Sequence, residues 1–169
     1  YRLARALAAE LPGEVPLVRG LQAAAVPERP IATPPLSEKV AYGRYLVQSM
    51  DCYGRHSPDF TTMNLIEPEK TPGYMSGGNT LLDLKGRPVT TANLTADDET
   101  GIGKWSEADF VRALTKGFAP GNRTIRYPMG IMPLSEQEAG AIYAYLRTVP
   151  KIRNDVARTP RETAPPGSS

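Results

Sequence analysis

The sequence predicts an all-α domain in which three main helices are joined by two long, irregular connections. Three stretches carry apolar residues at the spacing of a helix face, and two of these stretches begin with a capping signal. The segments between them are rich in residues that favour turns and extended chain, and the 169 residues include 15 glycines and 17 prolines. We place the domain at 36–152, between an extended N-terminal arm at 1–35 and a C-terminal tail at 153–169.

The N-terminal arm combines a short apolar stripe with repeated prolines. Leu3, Leu7 and Leu11 are spaced for two or three helical turns, which end before Pro12. The prolines after this stripe favour extended chain. They are Pro16, Pro27, Pro30, Pro34 and Pro35. Such an arm buries little surface alone, so we expect it to be mobile or to lie across a partner. Because the sequence begins with Tyr1 rather than Met, it is compatible with an upstream signal peptide or membrane anchor.

The first helix is predicted to begin at Ser37, whose hydroxyl can cap the free N–H groups of the first turn. Its inward positions follow helical spacing. They are Val40, Gly43, Tyr45, Leu46 and Val47. We expect this helix to run into the segment that contains Cys52.

Two further helices carry clearer start signals. Ser106 with Asp109, and Ser135 with Glu138, have the spacing of a capping box, in which a serine and an acidic side chain satisfy each other's backbone N–H groups. The last helix is expected to end before Pro150. The apolar positions of the two helices are Phe110, Val111, Leu114 and Phe118, then Ile142, Tyr145, Leu146 and Val149.

The connections at 57–97 and 119–133 are long for a domain of this size. Three helices separated by such connections do not close a dry core by themselves. A large prosthetic group would supply the missing apolar surface, and its burial stabilises at roughly 25 cal/mol per Å². The architecture therefore favours a domain folded around a bulky ligand.

The only cysteine and the only histidine of the chain are Cys52 and His56. The segment Cys52–His56 differs at one position from Cys-x-x-Cys-His, the attachment signal of c-type haem, because Arg55 stands where the second thiol would be. Cys52 could form one thioether to a haem vinyl group. His56 could be the proximal ligand of the iron.

A second axial ligand has to come from another residue type, because the chain has no second histidine. The thioether of methionine is the natural choice. Met50 lies too close to the attachment segment to reach the opposite haem face, and Met63 and Met75 lie in the long connection, where methionines often fill gaps. Met129 and Met132 precede the last helix, in a segment that can lie over the opposite haem face. Met129 is the preferred distal ligand, Met132 is the alternative, and a site without a methionine ligand stays open.

Polar side chains could meet the haem propionates. The indole N–H of Trp105 could donate a hydrogen bond to a propionate. Arg44, Arg55 and Arg126 are ordinary surface charges or partners of a propionate.

Residues 30–154 resemble the bacterial monohaem class I cytochromes c, including those attached to membrane redox enzymes. The similarity is carried by Ala41–Val47, Cys52 with His56–Asp59, Asn93–Trp105 and Ala141–Pro150. The resemblance implies a cytochrome c fold with one haem c, His56 as proximal ligand and a methionine before the last helix as distal ligand. It also brings Asn93 and Trp105 into the set of expected cofactor-binding residues. Arg55 departs from the family pattern and leaves attachment through one thioether.

The resemblance implies electron transfer on the periplasmic or other extracytoplasmic face of a bacterial membrane, because haem c is attached there. The expected partners are a redox donor, a redox acceptor and other subunits of a membrane-associated respiratory complex, such as alternative complex III or an alcohol dehydrogenase. We therefore expect an electron carrier or a non-catalytic subunit. The alternative is a haem-less structural subunit descended from a cytochrome c. A haem-dependent dehydrogenase or gas sensor would require an open distal site.

Other function classes find little support. The formal net charge is +2, which is not the basic surface that nucleic acid requires. No apolar run reaches the ~20 residues of a membrane-spanning helix. The glycines of 73–78 lack the strand and helix context of a nucleotide site.

Overall fold

The computed structural model describes residues 32–156, and from Thr33 onward these residues belong to one compact unit. The predictions made for residues 1–31 and 157–169 lie outside the described residues. Four α-helices are present in the described part, and we number them in chain order. They are α1 Lys39–Ser49, α2 Cys52–Arg55, α3 Glu107–Lys116 and α4 Glu136–Leu146.

Helix α1 begins later and ends earlier than predicted. Glu38, not Ser37, is its N-cap and makes no capping hydrogen bond through its side chain. Ser37 instead lies within a turn that the Glu38 N–H closes on Pro35 O at 2.9 Å. At the other end, Asp51 adopts the left-handed conformation with φ 54°. The chain therefore turns before Cys52, and the attachment segment forms a separate short helix.

The two capping boxes are confirmed. Ser106 Oγ accepts from the Asp109 N–H and Ser135 Oγ accepts from the Glu138 N–H, with both return bonds present. Helix α3 ends at Gly117, whose φ of 78° is left-handed. Phe118 was therefore predicted wrongly as part of the helix face, because it begins a strand.

The apolar positions predicted for the last helix extend to Val149, but α4 ends three residues earlier, at Leu146. Val149 is nevertheless buried. The Thr148 N–H donates to Tyr145 O at 2.8 Å, and this turn directs Val149 back to the core. The stripe therefore identifies buried positions beyond the end of the helix itself.

Two short antiparallel ribbons interrupt the connections that were predicted to be irregular. Strands β1 Thr80–Leu82 and β2 Pro88–Thr90 pair with Leu81 opposite Val89. Strands β3 Phe118–Ala119 and β4 Arg123–Thr124 form the second ribbon. The helices still dominate the described part, with short 3₁₀ turns at Phe60–Thr62, Pro68–Lys70 and Pro120–Asn122. The cytochrome c fold stays a prediction.

The core lies where α1 and α3 pack against α4. Its innermost side chains include Val47, Met75 and Leu146, none of which has solvent exposure. Helices α1 and α4 approach closely at Gly43, where a Cβ would lie 1.9 Å from Ala141 O. In the described residues, every helix is too short or too polar to cross a membrane.

Residues 93–105 form a loop that is held by its own side chains. Asn93 Oδ1 accepts hydrogen bonds from Thr95 N (2.9 Å) and Thr95 Oγ1 (2.8 Å), and Asn93 Nδ2 donates to Ile152 O at 2.7 Å. Asp97 Oδ1 accepts from the Thr100 N–H at 2.7 Å. A Cβ at Gly101 would lie 2.2 Å from Thr95 O. The conformation of this loop is thus set by its own turns, and the hydrogen bond from Asn93 to Ile152 O links the loop to the end of the domain.

A carboxylate connects α1, α4 and the long connection at one edge of the core. Glu69 Oε1 accepts hydrogen bonds from Arg44 Nε, from Gln48 Nε2 at 3.1 Å and from the Tyr145 hydroxyl at 3.2 Å. The Tyr145 hydroxyl also meets the buried Tyr74 hydroxyl at 2.9 Å. The hydrogen bond from Arg44 is the main cause that lowers the pKa of Glu69.

We expect Glu69→Gln to lower the free energy of unfolding at pH 7 by about 1 kcal/mol, a value kept small because Glu69 is one-third exposed and screened by solvent. The pKa of Glu69 is lower in the folded state than in the unfolded chain. Its contribution is therefore complete above the unfolded pKa of about 4.3 and is lost as the pH falls through the folded pKa. Urea denaturation at pH 7 and pH 3 should show a larger difference between variant and wild type at pH 7 than at pH 3.

Glu67→Gln is the matched control, because Glu67 pairs with Lys70 on the exposed surface. It should change the unfolding free energy little at either pH. An equal loss for Glu69→Gln at pH 7 and pH 3 would contradict the role given to the ionised carboxylate.

Candidate functional site: an apolar cleft with cysteine, histidine and methionine

A cleft lies among the described residues, and the empty space in it, counted together with the open solvent at its mouth, is about 460 Å³. Its lining includes residues of α1, α2, α3, α4 and the segment before α4. They are Val47, Met50, Cys52, Arg55, His56, Met75, Leu94, Phe110, Leu114, Met129, Met132, Ile142 and Leu146.

His56 lies directly after α2, and its backbone N–H closes that helix on Cys52 O at 2.9 Å. The imidazole is half-buried, and its Nδ1–H donates to Ala92 O at 2.9 Å. Because Nδ1 carries the proton, Nε2 has the lone pair that can bind a metal. Burial lowers the pKa of His56 and so favours the neutral, ligating form at neutral pH. The ring is thereby prepared as a metal ligand.

Cys52 is a free thiol at the start of α2 and lines the same cleft. Burial raises the pKa of this thiol to about 11, against the opposing field of Arg55. The thiol is therefore protonated at neutral pH. A Cβ at Gly54, two residues later in the same short helix, would lie 2.3 Å from Asp51 Oδ1, so a larger residue there would displace the Asp51 side chain.

Met129 and Met132 both line the cleft and are half-buried. The Met132 N–H donates to Leu114 O at 2.9 Å, which fixes this segment against α3. The Met129 N–H donates to Arg126 O at 3.0 Å and closes a turn. Both methionines therefore come from a segment that is separate from α2, as a distal ligand would have to.

The other three methionines are placed differently. Met75 lines the cleft, and its backbone N–H donates to Oγ of Ser57, the residue after His56, at 3.2 Å. Met50 also lines the cleft and lies just before the attachment segment. Met63 packs against the core and is absent from the described lining. Of the five candidate methionines, Met129 and Met132 are thus the two that line the cleft from the segment before α4.

Asn93 and Trp105 are not among the residues that line the cleft. The amide of Asn93 is buried and engaged with Thr95, Thr100 and Ile152. Trp105 is half-buried against the core, and its carbonyl oxygen accepts from the Tyr143 hydroxyl at 2.6 Å. Their cofactor-binding roles stay predictions.

The three arginines that were considered as propionate partners lie in different places. Arg44 pairs with Glu69, whereas Arg55 lines the cleft. Arg126 is exposed and is not part of the described lining. Arg55 is therefore the arginine that the structure brings to the site.

The sequence did not show that several apolar residues line this site. Val47, Phe110, Leu114, Ile142 and Leu146 were recognised as apolar helix positions, but periodicity does not distinguish packing against protein from packing against a ligand. Ala92 was missed entirely, because it contributes a backbone carbonyl and its side chain carries no signal.

The residues of the cleft fit a haem c. Haem needs apolar walls, an imidazole with a free lone pair and, for c-type attachment, a thiol beside that imidazole. The cleft has apolar walls from α1, α3 and α4, a thiol from α2 and the imidazole of His56 directly after it, and methionine sulfur from the segment before α4. The fit depends on the described side chains and on the hydrogen bond that sets the His56 tautomer.

Comparison with known proteins points in the same direction. No family model matches the chain. A nicotinate dehydrogenase subunit of Pseudomonas putida is 31% identical over 87 residues, which cover 49% of this chain and 7% of that protein. The gluconate 2-dehydrogenase cytochrome c subunit of Pantoea cypripedii is 30% identical over 118 residues, which cover 65% of this chain and 26% of that protein.

The chain thus spans about a quarter or less of the length of these curated relatives. Both relatives are subunits of dehydrogenases, and one is a cytochrome c subunit. The similarity supports a cytochrome c-like subunit of an oxidoreductase.

Proposed function

We propose that this chain is an electron-transfer subunit of an oxidoreductase complex and that its cleft holds one haem c. The observation that carries the proposal is the convergence of the sole cysteine and the sole histidine of the chain with two methionines of another segment on one apolar cleft. The similarity to a cytochrome c subunit supports the same conclusion. The helical architecture with long connections is compatible with a cytochrome c fold.

Each residue has a defined task in this proposal. A bound haem supplies one-electron exchange between Fe(II) and Fe(III). Cys52 tethers it by one thioether, and His56 binds the iron through Nε2 while its Nδ1–H holds the ring on Ala92 O. Met129 would supply a thioether sulfur as the second protein ligand of the iron, with Met132 as the alternative. The apolar walls exclude water, which favours the less charged ferrous state.

We further propose that the subunit works on the periplasmic face of a bacterial membrane, between a redox donor and a redox acceptor. The two relatives belong to dehydrogenases, which favours a dehydrogenase or a quinol-oxidising respiratory complex as the assembly. The subunit itself makes and breaks no bonds in a substrate. Its partners within the complex would carry the substrate chemistry.

The direct test is the pyridine haemochrome and reduced-minus-oxidised spectrum of the full chain, made in a host that attaches haem c. We expect one haem per chain and an α-band to the red of a haem c with two thioethers, because one vinyl group stays conjugated. Colourless protein after correct folding would overturn the proposal and support the haem-less structural subunit. Rapid carbon monoxide binding to the reduced protein would instead indicate an open distal site.

The two methionines can be separated by matched substitutions. We expect Met129→Leu to abolish the weak long-wavelength absorption that methionine–iron ligation gives in ferric haem, and to lower the reduction potential, because the soft thioether stabilises Fe(II). Met132→Leu is the control and should retain both properties, since leucine keeps a similar volume in the cleft. The reverse outcome would assign the distal position to Met132.

A further inference from the structure

Arg55 is an exposed residue that lines a cleft whose other described lining residues are apolar or uncharged. Among the described residues that line it, Arg55 is the only one with a permanent charge, and no carboxylate lines it. The other lining side chains are aliphatic, aromatic, thioether, thiol or imidazole groups. Any charge-sensitive group in this cleft therefore has Arg55 as its nearest ionic neighbour in the lining.

Within residues 32–156, no carboxylate forms an ion pair with Arg55. Arg44, by contrast, is paired with Glu69. Arg55 ends α2, which also carries Cys52, and directly precedes His56. Its backbone is thereby fixed beside both residues that are expected to hold the haem.

We infer that Arg55 acts as a fixed positive charge that raises the reduction potential of the iron centre held by this cleft. The inference rests on the proposed function and deepens it. Loss of an electron adds positive charge to the centre, and a nearby cation opposes that change. The residue that replaces the second thiol of the attachment signal thus favours the ferrous state instead of forming a second thioether.

The expected size follows from Coulomb's law. A unit charge acting over about 10 Å with an effective dielectric constant of about 20 shifts an equilibrium roughly tenfold. A tenfold shift corresponds to about 59 mV for a one-electron couple. Arg55 is largely exposed, so salt should weaken the effect.

The test is a spectroelectrochemical titration of the haem-loaded full chain as wild type, Arg55→Met and Arg55→Lys. We expect Arg55→Met to favour the ferric form roughly tenfold at low salt and less at high salt. Arg55→Lys should stay close to wild type, because it keeps the charge at the same place. The α-band position should be the same in all three, since none alters the single thioether.

Two results would overturn the inference while leaving the proposed function intact. One is a haem-loaded Arg55→Met protein with the wild-type potential. The other is a shift that varies between pH 5 and pH 9, because this would show that Arg55 pairs with an ionisable group such as a propionate. Absence of haem from all three proteins would instead be a failure of the proposed function.

Discussion

Gly43→Ala is expected to lower the free energy of unfolding by about 3 kcal/mol, the upper part of the usual range for overpacking. The new Cβ would lie 1.9 Å from Ala141 O and 2.5 Å from Ala141 C. These are backbone atoms of α4, so they cannot move aside without separating α1 from α4. Alanine is otherwise favourable in a helix by up to about 1 kcal/mol relative to glycine, and the steric conflict outweighs this gain.

Urea denaturation followed by circular dichroism measures the effect. Gly130→Ala is the matched control, because a Cβ there has no neighbour within 4 Å. It should leave the unfolding free energy within about 0.5 kcal/mol of wild type. If the two variants are equally stable, the close crossing of the helices at Gly43 is not a feature of the protein in solution.

The same substitution should also disturb the cleft. Val47 on α1 and Ile142 and Leu146 on α4 are all part of its lining. Separation of the two helices would move these walls apart. The stability of the helix pair and the shape of the candidate site therefore depend on one glycine, which is distant in sequence from Cys52 and His56.

The parts of the fold that could be predicted are those set by local chemistry. Ser106 with Asp109 and Ser135 with Glu138 specify helix starts within four residues, and both were found where expected. The start of α1 was missed because Pro35 O accepts from the Glu38 N–H, which places Ser37 inside a turn. A serine is a good cap only when the preceding chain lets it occupy that position.

The sequence contains a turn signal at Asp83 and Gly86 that would have predicted the β1–β2 hairpin. Asp83 Oδ1 accepts from the N–H groups of Lys85 and Arg87, and Gly86 has a φ of 74°. An aspartate followed three residues later by glycine is typical of such a turn. The glycines and prolines around it led to an interpretation as irregular chain, although short strands are compatible with them.

The sequence pointed to residues that meet at the cleft but not to its apolar walls, and the roles of those residues towards a haem stay predictions. Cys52 and His56 were identified from their spacing, and Met129 and Met132 from their position before the last helix; all four line one cleft. Ala92 O could not be foreseen, because a backbone acceptor brought close by tertiary structure leaves no trace in residue type. For the same reason, the sequence did not show that Asn93 makes its hydrogen bonds within its own loop and to Ile152 O.

Cys52→Ser is expected to abolish covalent attachment completely, because the chain has no other cysteine. The hydroxyl of serine does not form a thioether, whereas His56 and the apolar walls remain available for binding. Haem in this variant would be held only by axial ligation and burial. Extraction with acidified acetone should move all colour into the organic phase, while the wild type keeps its colour in the protein. The pyridine haemochrome of the variant should lie further to the red, since both vinyl groups stay conjugated.

Arg55→Cys is the matched substitution that adds a thiol instead of removing one. It places a second thiol at the spacing of the complete attachment signal. Its haemochrome should move to the blue of wild type, so that the three proteins form a series with no, one and two thioethers. Wild-type protein that releases its haem as readily as Cys52→Ser would show that Cys52 is not the tether. His56 and the cleft would then be left to hold the haem without a covalent bond.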